Sequence, residues 1–212
     1  MKPLSLLLQL SDSALPTGGF SHSFGFDQYL TRGEIHNPET FMTWLEVYAA
    51  NQLTYTDALL MRMLYEGMDD HELADRAIAA TLPAQVRSAD VAMAKRIRTI
   101  GVDALGMPST TGELAHPAIE FARITHHYGV EMHEAIVAHL TGAVSTLTQN
   151  AVRGIPIGQS AGQMVITTAH KWIARTVDQV NGLDHDDLGM VAPGLEIAQT
   201  QHERLRARMF MS

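Results

Sequence analysis

Gly19-Phe20-Ser21-His22-Ser23 comes within one residue of the G-x-S-x-G turn that displays a nucleophilic serine, and eleven histidines stand in a chain without cysteine. Two chemistries are therefore in view: acyl transfer from Ser21, and metal binding by imidazole and carboxylate. The first fails on local grounds. Position 23 is Ser instead of Gly, and a nucleophile turn follows a buried strand. Here Leu4, Leu7, Leu8 and Leu15 are interspersed with Gln9, Asp12 and Ser13, in the manner of a short helix running into a loop. Ser21 and His22 are also neighbours, and adjacent side chains on a helix diverge by about 100°, so they form no dyad there.

Metal ligation needs convergent donors. His127 and Glu131 are four apart, and His126 and His133 seven apart. Di-metal bundle sites draw a Glu from each of two helices and a Glu-x-x-His pair from each of two others. Glu131 is followed three later by Glu134 and Glu120 by Arg123, while Gly129 interrupts the helix between His127 and Glu131. His202-Glu203 continues as Arg204-Leu205-Arg206, which does not complete H-E-x-x-H, and no phosphate-cradling Walker A segment is present. One enzymatic reading remains from the residues: a helical metal-dependent hydrolase or oxygenase using His and Glu residues between Glu120 and His139. Against it stands the plainer reading of His126, His127 and His133 as packing or surface residues, with the twelve methionines filling core and interfaces.

The elements that must position these groups are helical. Met132, Ile136, Leu140, Ala143 and Leu147 step by four, four, three and four along one helix stripe. Asn37 before Pro38 reads as an N-cap followed by proline at the first helical position, opening a helix through Phe41, Leu45, Tyr48 and Ala49. Gly and Pro then punctuate the chain at short intervals, and no segment combines β-branched enrichment with period-two alternation. The expected fold is all-α, a single-domain bundle of about eight to ten helices over residues 1–212. The aspartate-rich stretch Leu183 to Gly189 is its expected mobile loop.

Composition narrows the function. A hydrophobic share of 46% with 18% charged residues suits a globular core. Lack of cysteine excludes disulfides and thiolate chemistry. A net charge of −8 argues against nucleic acid as a partner. The cluster Arg87, Lys95, Arg96 and Arg98 reads as a solvated helix face, and Arg204, Arg206 and Arg208 close the chain beside an apolar Met209 to Met211. No stretch approaches the ~20 apolar residues of a membrane span. Lys2 with Leu4 to Leu8 faintly mimics a secretory signal, but the run breaks at Gln9 and no A-x-A site follows, so a cytoplasmic location is expected.

The segment Leu7 to Phe26 has more breaking power, in Pro16, Gly18 and Gly19, than a helix connection requires. As a whole it closely resembles the N-terminal signature of the UreF family of urease accessory proteins, an L-x-Q-L-x-D/S-x-x-L-P-x-G-x-F-S-x-S-x-G pattern. Leu7, Gln9, Leu10, Leu15, Pro16, Gly18, Phe20, Ser21, Ser23 and Gly25 carry it. NAVRGIPIGQSAGQ (Asn150 to Gln163) and APGLEIAQTQHERLRARMFMS (Ala192 to Ser212) are similar to two further blocks of that family, and NQLTYTDALL (Asn51 to Leu60) and HPAIEF (His116 to Phe121) extend the likeness through the middle. It says least about Arg76 to Met107, and Phe24, Phe26 and Asp27 depart mildly from the common pattern.

The resemblance implies a non-enzymatic helical homodimer that assists nickel insertion into urease. It would bind a UreD- or UreH-type accessory protein on apo-urease and recruit or regulate the UreG GTPase, with no cofactor of its own because nickel is handled by the wider complex. Under it, Leu15, Pro16, Gly18, Phe20, Ser21, His22 and Ser23 shape a contact surface. Arg153, Pro156, Gly158, Gln159 and Gln163 serve the dimer region and GTPase docking. A tail over about residues 202–212, with His202, Glu203 and Phe210, is ordered by the UreD-type partner. Gly158, Ala161 and Gly162 on one helix face admit a close backbone approach, either within the monomer or at an interface.

Overall fold

The structure, a computed structural model, describes residues 2–189 and 192–211, so Ser212, the last residue of the expected tail, lies outside the described residues. The chain runs through α1 (Pro3–Leu10), α2 (Phe26–Thr31), α3 (Pro38–Tyr48), α4 (Leu59–Tyr65), α5 (Asp70–Ala80), α6 (Ala84–Asp103), α7 (Pro117–His127), α8 (Met132–Gly154), α9 (Gln159–Val180) and α10 (Pro193–Gln201). The fold is all-α, with no strand among the described residues, and no helix is long and apolar enough to cross a membrane.

Local chemistry sets the helix starts. Asn37 accepts a hydrogen bond from the Thr40 backbone N–H at 2.9 Å while Thr40 Oγ1 accepts from the Asn37 N–H at 3.2 Å, a capping box with threonine in the glutamate's place. Asp69 caps α5 through the His71 N–H at 2.9 Å, and His116 caps α7 through the Ala118 N–H at 3.2 Å. Gly129, at φ +69°, ends α7 and turns the chain into α8.

α3 does not stop at Tyr48. A π-helical run, Ala49–Ala58, joins it to α4 as one continuous rod. Its wider turns bring polar side chains inward: Thr54 Oγ1 donates to the Ala49 carbonyl at 2.9 Å and lies 2.9 Å from Thr176 Oγ1 on α9, and Asp57 is buried facing α8. α8 and α9, joined by Ile155 to Gly158, form the principal hairpin, with α9 also against the π run and α7 between α6 and α8. Ile136, Leu140 and Leu147 of the α8 stripe are buried. An aromatic column, Phe26, Phe41, Trp44 and Tyr48, fills the end of the core nearest α2, with ring centroids 5.3–6.1 Å apart along it.

Two expectations change. The basic cluster on α6 is not a purely solvated face: Arg87 donates to the Thr81 carbonyl at 2.7 Å, Arg96 to the Thr17 carbonyl at 3.2 Å, and Arg98 pairs with the buried Glu120 at 2.7 Å. The partners of Arg96 and Arg98 lie 79 and 22 positions away, which a one-dimensional charge pattern does not contain. The aspartate-rich stretch 183–189 is tied down instead of loose, since His185 meets Glu66 at 2.8 Å, Asp186 lies 3.6 Å from Arg76, and the Gly189 N–H donates to the Tyr55 carbonyl at 3.1 Å.

Asn37→Ala removes the cap acceptor of α3, the helix that carries the aromatic column. The unfolding free energy should fall by about 1 kcal/mol. Urea titration checks this as a lower midpoint at unchanged slope.

Candidate partner-docking junction

The loop after α1 is held in one shape by its own breakers. Asp12 Oδ1 accepts from the Ala14 N–H at 2.8 Å, Gly18 takes φ +86°, and a single 3₁₀ turn, Gly19–Ser21, follows. Phe24 and Gly25 are then both left-handed, at φ +51° and +94°. For a phenylalanine that conformation costs about 1–2 kcal/mol, and Gln199 on α10 opposes the loss by donating to the Phe24 carbonyl at 3.2 Å. A Cβ at Gly25 would lie 3.0 Å from Gln199 Cγ and 3.2 Å from Leu195 Cδ1, so glycine there sets how closely α10 packs on the loop.

The C-terminal segment closes over this loop. Asp27 Oδ2 accepts from the Met209 N–H at 2.9 Å and the Phe210 N–H at 3.3 Å, and it lies 3.4 Å from Nε2 of the fully buried His202, whose Nδ1 lies 3.0 Å from Gln85. Burial alone would raise the Asp27 carboxyl, but the His202 ring and these two amides outweigh it and hold it below the usual carboxylate range. The Met211 N–H donates to the Ser21 carbonyl at 2.7 Å. Phe210 is buried with its ring 6.3 Å from that of Phe26, and the Arg153 guanidinium sits over the same ring, 5.5 Å from its centroid. Arg153 also donates to the Phe20 carbonyl at 3.3 Å and Asn150 to the His22 carbonyl at 2.9 Å, which fastens the loop to α8. Burial, and then the Arg96 charge, lowers the pKa of the His22 ring.

Of the residues read from the sequence, the structure thus gathers Phe20, Ser21, His22, Ser23, Arg153, His202 and Phe210 into one junction. Residues 202–211 lie on the chain itself, where Phe210 finds an aromatic seat and Asp27 satisfies two amides. Met209, Met211, Glu203 and the three tail arginines stay exposed. Pro16 is exposed at the loop's tip, Gly18 lies beneath Arg96, and Leu15 faces inward. Pro156, Gly158, Gln159 and Gln163 stand exposed where α9 begins, outside the junction, with Met164 beside them at 65% exposure. The close approach that the small residues admit is partly used within the chain: a Cβ on Gly162 would meet the Thr148 and Val152 methyls of α8 at 3.3 Å, whereas Gly158 faces open space.

The loop's inner side covers a cavity of about 120 Å³. Leu15, Gly19, Phe20 and Phe24 help line it, and at its inner end four titratable side chains meet, Asp57, Asp90, His116 and His139. His139 Nε2 is 2.9 Å from Asp57 Oδ1, and His116 Nε2 is 3.9 Å from Asp90 Oδ2. Burial, followed by the charge of Asp57, pushes Asp90 well above the carboxylate range, while burial lowers His116. Sequence reasoning missed this cluster apart from His139. Asp57 and His116 fall in blocks that carried the family likeness, which was the available signal; nothing local marks Asp90. The other His and Glu residues between Glu120 and His139 do not converge. Glu120 pairs with Arg98, His126 stacks edge-on to Tyr65, and His133 lies 3.0 Å from Asn181. Among the described residues, the one group of three His, Asp or Glu side chains close enough to share an ion is His71, Asp75 and Glu113, all exposed.

Asp27→Ala should strand two tail amides, lower stability by about 1–3 kcal/mol, and make trypsin cut sooner at Arg204 to Arg208. Because the folded carboxyl titrates below its unfolded value, its contribution is present above the unfolded pKa and is lost as pH falls through the folded one. The deficit of the variant should therefore be full at pH 7 and shrink in acid, as read by urea titrations at several pH values.

Comparison with known proteins agrees with the geometry. The family model described as UreF matches residues 35–170. The chain is 44% identical to the urease accessory protein UreF of Arthrobacter sp. (strain FB24) over 97% of this chain and 96% of that one. It is 44% identical to that of Corynebacterium glutamicum (strain R) over 98% and 97%, and 40% identical to that of Geobacillus kaustophilus (strain HTA426) over 97% and 96%. With a family match over most of its length and likeness from end to end, the chain belongs to the UreF family of urease accessory proteins.

Proposed function

We propose that the chain is a non-catalytic scaffold for nickel insertion into urease. It works in the cytoplasm as a homodimer, binds a UreD- or UreH-type accessory protein on apo-urease, and recruits or regulates the UreG GTPase. The observation that carries this reading is the junction of loop, α8 and tail, where the sequence blocks most like the family come together around Asp27, Arg153 and Phe210. A preformed tail supports it further. A disordered tail that folds on binding loses roughly 2–5 kcal/mol to ordering, and a segment already seated on Phe26 avoids most of that cost. Met209, at 50% exposure, and Met211, at 68%, then present an apolar edge flanked by arginines. The UreD-type partner meets this edge, and the exposed Pro156, Gly158, Gln159 and Gln163 face serves the dimer or the GTPase.

Urease specific activity in nickel-supplied cells carrying the urease subunits and the other accessory proteins tests the role directly. Activity should appear with this chain and be absent without it at matched subunit levels; equal activity in both would sink the proposal. Arg153→Glu separates docking from folding. The side chain is exposed and its contact with Phe210 contributes about 0.5–1 kcal/mol, so thermal stability should drop little while GTPase capture in a pull-down falls several-fold.

A further inference from the structure

The cavity under the loop carries an inference independent of the scaffold role. Asp90 is 4% exposed and makes no hydrogen bond among the described residues; His116 Nε2 lies 3.9 Å from its Oδ2. That separation is beyond hydrogen-bond range. An unpartnered buried carboxyl is costly and rare enough to need a reason. Here the group faces a cavity of about 120 Å³, room for roughly four waters.

The ionisable groups around Asp90 are unevenly balanced. His116 Nδ1 accepts from the Ala118 N–H, so its ring proton sits on Nε2, facing Asp90. His139 Nε2 meets Asp57 Oδ1 at 2.9 Å. Asp57 Oδ2 and both oxygens of Asp90 accept no hydrogen bond among the described residues, and the lining carries three carboxyls, of Asp12, Asp57 and Asp90, with no lysine or arginine. The cavity walls are mainly apolar, with Leu10, Phe20, Met93 and Leu147 beside the polar Tyr48, Gln52 and Thr146. A bare metal ion suits the floor poorly, since no three of its ligand atoms lie within 4.8 Å of one another. A primary ammonium brings three donors and one positive charge, and an alkyl stem matches the walls. We propose that this cavity binds a small organic cation, a primary ammonium on a short alkyl chain, with the carboxyl oxygens of Asp90 and Asp57 as its acceptors.

Titration calorimetry on the full chain tests this with n-butylammonium chloride, against n-butanol of the same shape and tetramethylammonium chloride at equal ionic strength. Butylammonium should bind saturably at one site per chain and about tenfold or more tighter than either control, the worth of one well-placed charge contact. Asp90→Asn should lose about tenfold or more in that affinity. Its melting temperature should be no lower than that of the parent chain, because a neutral amide relieves the buried carboxyl, and this separates lost binding from lost folding. Nα-acetyl-lysine methylamide distinguishes the sources of the ammonium. Binding like that of butylammonium assigns the site to a lysine side chain inserted by a partner, and exclusion assigns it to a free amine. Absence of butylammonium binding, equal affinity for butanol, or affinity unchanged in Asp90→Asn would overturn the proposal.

Discussion

One carboxylate oxygen, Oδ2 of Asp27, ties the two ends of this chain together. It receives the Met209 and Phe210 amides and sits against His202, all about 180 residues away in sequence, while Asp27 itself stands in the first turn of a six-residue helix. A helix that short does not persist alone. It is held by what it touches: α3 through Phe26 and Tyr29, α10, and the tail. Burial opposes the charge on Asp27, but three donors on one acceptor reverse the balance. The same oxygen therefore helps order α2, seats Phe210 on Phe26, and places the Phe210 ring beneath Arg153.

The loop between α1 and α2 is consequently a wall with two working sides. Its outer backbone, at Ser21, receives the last described residue of the tail, and its inner side chains, Leu15, Phe20 and Phe24, roof the cavity. The left-handed pair Phe24 and Gly25 turns the backbone between those two duties. Strain of this kind persists only where the surroundings over-determine it. Here α10 does so, through Gln199 at the Phe24 carbonyl and close packing at Gly25. Whatever docks on the tail thus touches a segment that also bounds the buried histidine and aspartate cluster.

Much of the scaffold was legible in the residues because its determinants are local. The Asn37-Pro38 cap and the α8 stripe need nothing beyond one helix turn or one helix face, and both stand as read. The tail was read only in part, since Arg204, Arg206 and Arg208 spell a solvated end while the burial of Phe210 depends on an aromatic seat far off in sequence. The pairing of Asp57 with His139, 82 positions apart, has the same character. No periodicity encodes it, and it needs the π-helical run that turns Asp57 inward. The small residues at the head of α9 admitted two readings, and geometry divides them: Gly162 packs on α8 and Gly158 stays open.

The cluster at the cavity floor breaks the rule that the rest of the core obeys. Elsewhere buried charge is matched, as where Glu120 meets Arg98 and Arg123, or where Arg62 meets Glu66 and the end of α9. A core built that way is under no structural need to keep Asp90 and Asp57 near each other, because two carboxylates in one buried space raise each other's cost of ionisation. Violations of local rules concentrate where a structure does something besides fold. The cluster's placement, beneath the loop that also holds the tail, makes it the part of this chain where packing and function ask for different residues.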